Sequence, residues 1–162
     1  MRALILLVLI LAAPATVSLS CQRRVTGVSG TNDTGEMKEI EITHITRGPF
    51  CGVEQQQNIA VTDNAHWKEL WTTVQRNRHP ADDLPEIDFS RQTIICVFLG
   101  TRSTGGYSVE ILGASLQGDT LTVLYTTESP APGDMVSMAI THPCHIVSVD
   151  VTAEQVEFSR KD

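Results

Sequence analysis

The sequence predicts an α+β domain: mainly an antiparallel β meander, arranged as a sandwich or a partly open barrel, with one amphipathic helix. Three observations predict it. Short apolar and β-branched runs recur between clusters of Gly, Pro, Asn and Asp, one stretch alone carries helical periodicity, and the longest apolar run stands at the N-terminus, outside the domain.

That N-terminal run defines the first element. Arg2 is followed by apolar residues from Ala3 to Val17 and then by small residues leading into Cys21. Residues 1–20 read as a secretion signal, because the apolar stretch is shorter than the roughly 20 residues a membrane span requires. The ending Val17-Ser18-Leu19-Ser20-Cys21 resembles a bacterial lipobox, which makes Cys21 the expected lipid attachment site and new N-terminus. More than one acyl chain, palmitate among them, would give stable anchoring where a single chain gives marginal binding. The expected location is therefore extracytoplasmic, lipid-anchored to a bacterial membrane in the cell envelope; without the lipid, the protein is expected to be secreted. Residues 21–38 comprise this cysteine and a tether rich in Gly, Ser and Thr, whose r.m.s. reach as a flexible coil is about 20 to 25 Å.

Residues 39–158 suffice for a single globular domain with a real core. The chain has 12 basic and 19 acidic residues and a net charge of −7, and loses one further cation, Arg2, with the leader. Nucleic acid is not expected as a partner, since phosphate binding needs a basic footprint.

Within the domain, Ile40 to Ile45 alternates apolar and polar residues and Asn58 to Thr62 is a short β-like run, so both are expected strands. Asp63-Asn64 then caps a helix in which Trp67, Leu70, Trp71 and Val74 fall on one face, which predicts core packing for both tryptophans. The helix is expected to stop before His79-Pro80, because the residue preceding a proline is driven out of the α region. "HPADDLPEIDFS" reads as a proline-rich, solvated acidic loop feeding an apolar strand at 93–99. Further strands are expected at 107–112, 121–127, 135–141 and 145–151, each bounded by turn residues.

Two connections in this meander are candidate binding loops. Arg102, Ser103, Thr104, Gly105, Gly106 and Tyr107 form a connection longer and more polar than a minimal turn. A phosphate cradle is not the reading, because a strand and not a helix follows the glycines; a glycine-rich hairpin remains the simple alternative. In an up-and-down meander this loop shares one end of the sheet with a second loop containing Pro130, Pro132, Gly133 and Asp134, while "LQGD" and "HPC" share the other. Loops of this kind on a rigid sheet often carry function, and the prolines lower the ordering cost of binding.

The competing chemical cluster is "THPCH", with His142, Cys144 and His145. No second Cys/His group stands at ligand spacing and strand residues three apart face opposite ways, so neither a metal site nor thiol catalysis is expected. His44, His66 and His79 are scattered and read as surface residues. No cofactor is expected. Cys96 lies within an apolar strand and is expected as a buried free thiol, leaving Cys51 and Cys144 as the pair for any disulfide, provided their Cα atoms lie about 4.4–6.8 Å apart.

Taken in order, "HWKELW", "LPEIDFSRQTIICVFLGTRSTGGYSVEI" and "GDTLTVLYTTESPAPGDMVSMAITHPCHIVSVD" resemble the PrcB family of protease complex subunits over roughly residues 59–151. The family commonly has a proline at the place of Ser103 and an aromatic at that of Cys144. The resemblance implies a non-enzymatic extracytoplasmic protein that binds and supports a partner, a secreted or surface protease or another envelope protein. A second reading is a β-scaffold protease inhibitor acting through the Ser103–Tyr107 loop, which resembles the threonine-glycine-aromatic loop of chagasin-type inhibitors.

Overall fold

The computed structural model describes residues 36–162. The leader, Cys21 and the tether as far as residue 35 lie outside the described residues. Eight strands and one helix follow in the order β1 (Lys38–Ile40), β2 (Ile42–Gly48), β3 (Gln56–Val61), α1 (Asn64–Val74), β4 (Thr93–Leu99), β5 (Ser108–Gln117), β6 (Thr120–Glu128), β7 (Cys144–Val149) and β8 (Gln155–Arg160). They form two four-stranded sheets, β1-β5-β6-β8 and β2-β7-β4-β3, so the α+β class takes its sandwich form. Every pairing is antiparallel except β6 with β8, which is parallel.

The pattern of burial in β4 explains the layering. All seven residues of Thr93–Leu99 are buried, as expected of a strand covered on both faces. Ile95, Val97 and Leu99 join Val147 and Val149 of β7 against Val109, Ile111, Leu121 and Val123 of the facing sheet. The alternate residues Ile94, Cys96 and Phe98 turn the other way and pack with Cys144 and Ile146 against Trp67, Trp71 and Val74 of the helix. The result is three layers: sheet, sheet, helix. At roughly 1.5–3 kcal/mol for each large buried apolar side chain, these two interfaces dominate the stability.

Helix α1 begins where the capping residue sits. Asp63 accepts hydrogen bonds from the backbone N–H groups of Ala65 and His66 at 2.9 and 3.0 Å, satisfying donors that a helix start leaves open. Both tryptophans are buried, and their indole N–H groups donate to the carbonyls of Pro85 and Asp82 at 3.1 and 3.3 Å. The proline-rich loop thus closes over the helix, and its carboxylates serve locally, Asp82 pairing with Arg78 at 3.0 Å and Asp88 accepting from Ser90. No helix among the described residues is long and apolar enough to cross a membrane.

Three expectations need correction. Residues 135–141 are not a strand: apart from isolated bridges from Thr141 to Arg102 and from His142 to Phe50, the whole segment between β6 and β7 is irregular. Its residues have the composition of a strand, but β6 and β7 belong to different sheets, and the segment that crosses between them bonds to the Arg102–Tyr107 connection and not to a strand. Losing that traverse moves "HPC" to the end that carries the Arg102–Tyr107 loop, as the bond from Leu99 N–H to Pro143 O at 2.9 Å shows. The strand from Ile40 to Ile45 divides at Glu41, where the chain passes from one sheet to the other. Strand β8 was not anticipated. Among sequence neighbours only β5 and β6 form a hairpin, and β3 and β4 are adjacent through α1.

Candidate functional site

The Arg102–Tyr107 segment is a crossover, not a hairpin, since β4 and β5 belong to different sheets. Its glycines are explained by what lies against them. Gly105 N–H donates to Ser137 O at 2.9 Å. Gly106 adopts φ +86°, and a Cβ there would stand 2.9 Å from Val136 Cγ1 and 3.1 Å from Pro130 Cβ. Only a residue without a side chain permits both that backbone and that approach. The two loops expected to share an end therefore touch. Arg102 and Thr141 exchange backbone bonds at 2.8 and 2.9 Å, and the Thr141 hydroxyl donates to Thr104 O at 2.9 Å.

The second loop turns tightly at its tip. Asp134 accepts from Ala131 N–H at 2.7 Å and returns a backbone bond at 3.0 Å, with Gly133 at φ +97°. Beyond this turn the chain carries large apolar side chains into solvent: Met135 and Met138 are almost wholly exposed and Ile140 is 64% exposed. Phe50, 47% exposed, lies at the same end, where residues 49–51 run beside 141–142. Sequence reasoning missed these four residues. The signal was present as Met-Val-Ser-Met-Ala-Ile between a proline-rich turn and a histidine-proline pair, but its strand-like composition hid it.

A cleft of about 410 Å³ opens between these segments, lined by Arg47, Phe50, Gly106, Tyr107, Ser137 and Pro143 among others. Its lining also includes Cys144, which is bonded to Cys51 with their Cα atoms 5.9 Å apart. Cys96 is a buried free thiol whose pKa burial drives far upward. Ser103 is exposed, whereas Tyr107 is half-buried and packs against the inter-sheet core.

The "THPCH" cluster is divided by strand geometry. Cys144 faces the helix layer and His145 the inter-sheet core, because adjacent strand residues point oppositely. With its sulfur in a disulfide, Cys144 has no thiolate to act as a nucleophile. His145 is fully buried; its Nδ1 accepts from Ile111 N–H at 2.8 Å, and its Nε2 meets His44 Nδ1 at 2.8 Å. Since Nδ1 accepts, the neutral ring carries its proton on Nε2 and donates it to His44. Burial, assisted by His44 and Arg47 and opposed by Glu110, lowers the His145 pKa to about 4. His44 is exposed, as are His66 and His79, but it is tied into this bond and does not stand alone. Among the described residues no three His, Cys, Asp or Glu side chains gather as metal ligands.

No curated protein and no solved structure matches this chain. One family model does: residues 93–150, from the first residue of β4 to the residue after β7, match the family described as PrcB C-terminal. That segment contains both loops of the site, and over this span the chain is similar to the PrcB C-terminal family.

Proposed function

We propose that the protein is a non-enzymatic accessory subunit of a protease complex. It docks on its partner through the loop end of the sandwich and is held at the extracytoplasmic membrane surface by a lipid on Cys21. The family supports the association with a protease complex. The observation that carries the docking surface is the exposure of Met135, Met138, Ile140 and Phe50 beside the cleft. Scattered exposed apolar residues are ordinary, but four large ones concentrated at one end of a small domain mark an interaction surface. The methionines suit it, being flexible and polarizable enough to fit an irregular partner.

The inhibitor reading is less well supported by the geometry. Two central backbone groups of the Ser103–Tyr107 loop are already engaged, Thr104 O by Thr141 and Gly105 N–H by Ser137, so these two are not offered to a protease cleft. The enzyme reading loses its candidate nucleophile, since the Cys144 sulfur is bonded to Cys51.

The experiment is affinity purification of the full chain from its native membranes, comparing wild type with a Met135→Ser/Met138→Ser/Ile140→Ser variant. A protease should accompany the wild type in near-stoichiometric amount and fall at least tenfold with the variant. Equal recovery with both, or no protease with either, overturns the proposal. Added to a papain-like protease, the purified protein should leave its activity unchanged; strong inhibition would favour the second reading.

A further inference from the structure

Tyr107 also lines a second cleft, smaller and more enclosed, of about 170 Å³. It opens between β3 and β4 of one sheet and β6 and β8 of the other. Its walls differ in kind from those of the first: Gln56, Asn58, Arg102, Tyr107, Tyr125 and Thr127 present polar atoms, over a base of Val97 and Leu99. Among the described residues no carboxylate lines it.

Hydrogen-bond accounting leaves this cleft with a surplus of donors. Asn58 Nδ2 donates to Tyr125 Oη at 3.2 Å, so the tyrosine oxygen accepts, and its own O–H proton has no acceptor among the described residues. The guanidinium of Arg102 uses two of its five N–H groups, weakly, on Gln56 Oε1 at 3.3 Å and Thr101 O at 3.4 Å. It makes no ion pair among the described residues, in a chain whose net charge is −7. The Tyr107 ring, 5.5 Å from the guanidinium carbon, holds that group in place. The other cation at the rim, Arg160, is already spent on Asp162 at 3.0 Å, and nearby Glu128 is bound by the Ser108 hydroxyl at 2.8 Å.

We infer that this cleft binds a carboxylate, with Arg102 as its cation and the Tyr125 hydroxyl as a second donor. A planar fork of N–H groups matches a carboxylate's two oxygens. A single unpaired cation, with acids at its margins, favours one negative charge over the two of a phosphate monoester. The volume is below the roughly 300–1,000 Å³ of pockets for drug-sized molecules, and admits a carboxylate with the carbon or two behind it. Such a group comes from the end of a polypeptide or from a free small acid. The inference does not depend on the protease reading.

Titration calorimetry on the full chain in detergent, at fixed ionic strength, decides the matter with four probes: acetate, N-acetyl-triglycine, its C-terminal amide and inorganic phosphate. The two carboxylates should bind and the amide should not. An acid peptide binding at least tenfold more tightly than acetate assigns the group to a polypeptide end, and equal affinities assign it to a free acid. Arg102→Gln should weaken binding at least tenfold. Tyr125→Phe, which removes only the hydroxyl, should weaken it about threefold without moving the thermal midpoint. Binding of the amide as tight as that of the acid, preference for phosphate, wild-type affinity in Arg102→Gln, or no carboxylate binding at all overturns the inference.

Discussion

Gly106→Ala tests whether the two loops are fitted to one another. A left-handed backbone costs a residue with a side chain about 1–2 kcal/mol, and Gly106 sits at φ +86°. The new methyl would stand 2.9 Å from Val136 Cγ1 and 3.1 Å from Pro130 Cβ, inside normal contact. Forcing extra carbon into a fitted space costs about 1–3 kcal/mol more. The expected loss is therefore about 2–4 kcal/mol by urea denaturation, with faster proteolysis between residues 129 and 143. Gly118→Ala provides the control: φ is +58° and nothing lies within 4 Å of the added carbon, so only the backbone term of about 1–2 kcal/mol applies. Gly105→Ala meets chiefly the rotatable Ser137 hydroxyl, on a backbone any residue adopts, and should cost least. If Gly106→Ala cost no more than Gly118→Ala, the packing of the loops would not be a constraint and this reasoning would fail.

Three further outcomes are expected. Replacing Cys51 and Cys144 together by Ala should lower stability by roughly 4 kcal/mol, because the bond closes a span of 93 residues; urea midpoints that do not respond to loss of the bond would contradict this. His145, its pKa lowered to about 4 among His44, Arg47 and Glu110, binds its proton less readily folded than unfolded. Its contribution, about 3 kcal/mol at most, is complete above the ordinary histidine value near 6.5 and is lost as pH falls from there through about 4. His145→Gln should flatten that part of the stability profile, and an unchanged slope would refute the assignment. The Ser103→Ala/Thr104→Ala double variant should change stability by less than about 0.5 kcal/mol, since Ser103 is exposed and Thr104 contributes its carbonyl, while weakening recovery of the partner protease; unaltered recovery would confine docking to residues 135–140 and Phe50.

What could be read from sequence followed the strength of local pattern. Strand β4 has the predicted bounds because seven consecutive apolar or β-branched residues between turns admit little else. Helix α1 was legible from its cap and its tryptophan spacing. Strand β8 was not, although Val156 and Phe158 alternate with polar residues, because its partner β6 lies far off in sequence and the pairing is parallel. Residues 135–140 were misread for the opposite reason. They look like a strand locally, but they cross from β6 of one sheet to β7 of the other and bond to the Arg102–Tyr107 connection, which leaves them an exposed loop. The meeting of the two candidate loops was expected from a meander that does not exist; they meet because β4 and β6 both end, and β5 begins, at that end. The polar cleft was invisible beforehand, since it assembles Asn58, Arg102 and Tyr125 from three separate parts of the chain.

The pairing of β2 with β7 has a consequence for how the chain is made. Ile42 finds its partner in Val149, and His44 reaches His145 across 101 positions. Such distant pairings place a domain among those that fold in milliseconds to seconds, slower than helical bundles, because chain closure precedes its reward. As the chain emerges from its N-terminus, the cysteines of the domain appear in the order Cys51, Cys96, Cys144. For that interval the only thiol partner available to Cys51 within the domain is the wrong one. Pairing of β4 with β3 withdraws Cys96 into the core before β7 arrives, so early docking of these two strands protects the correct bond.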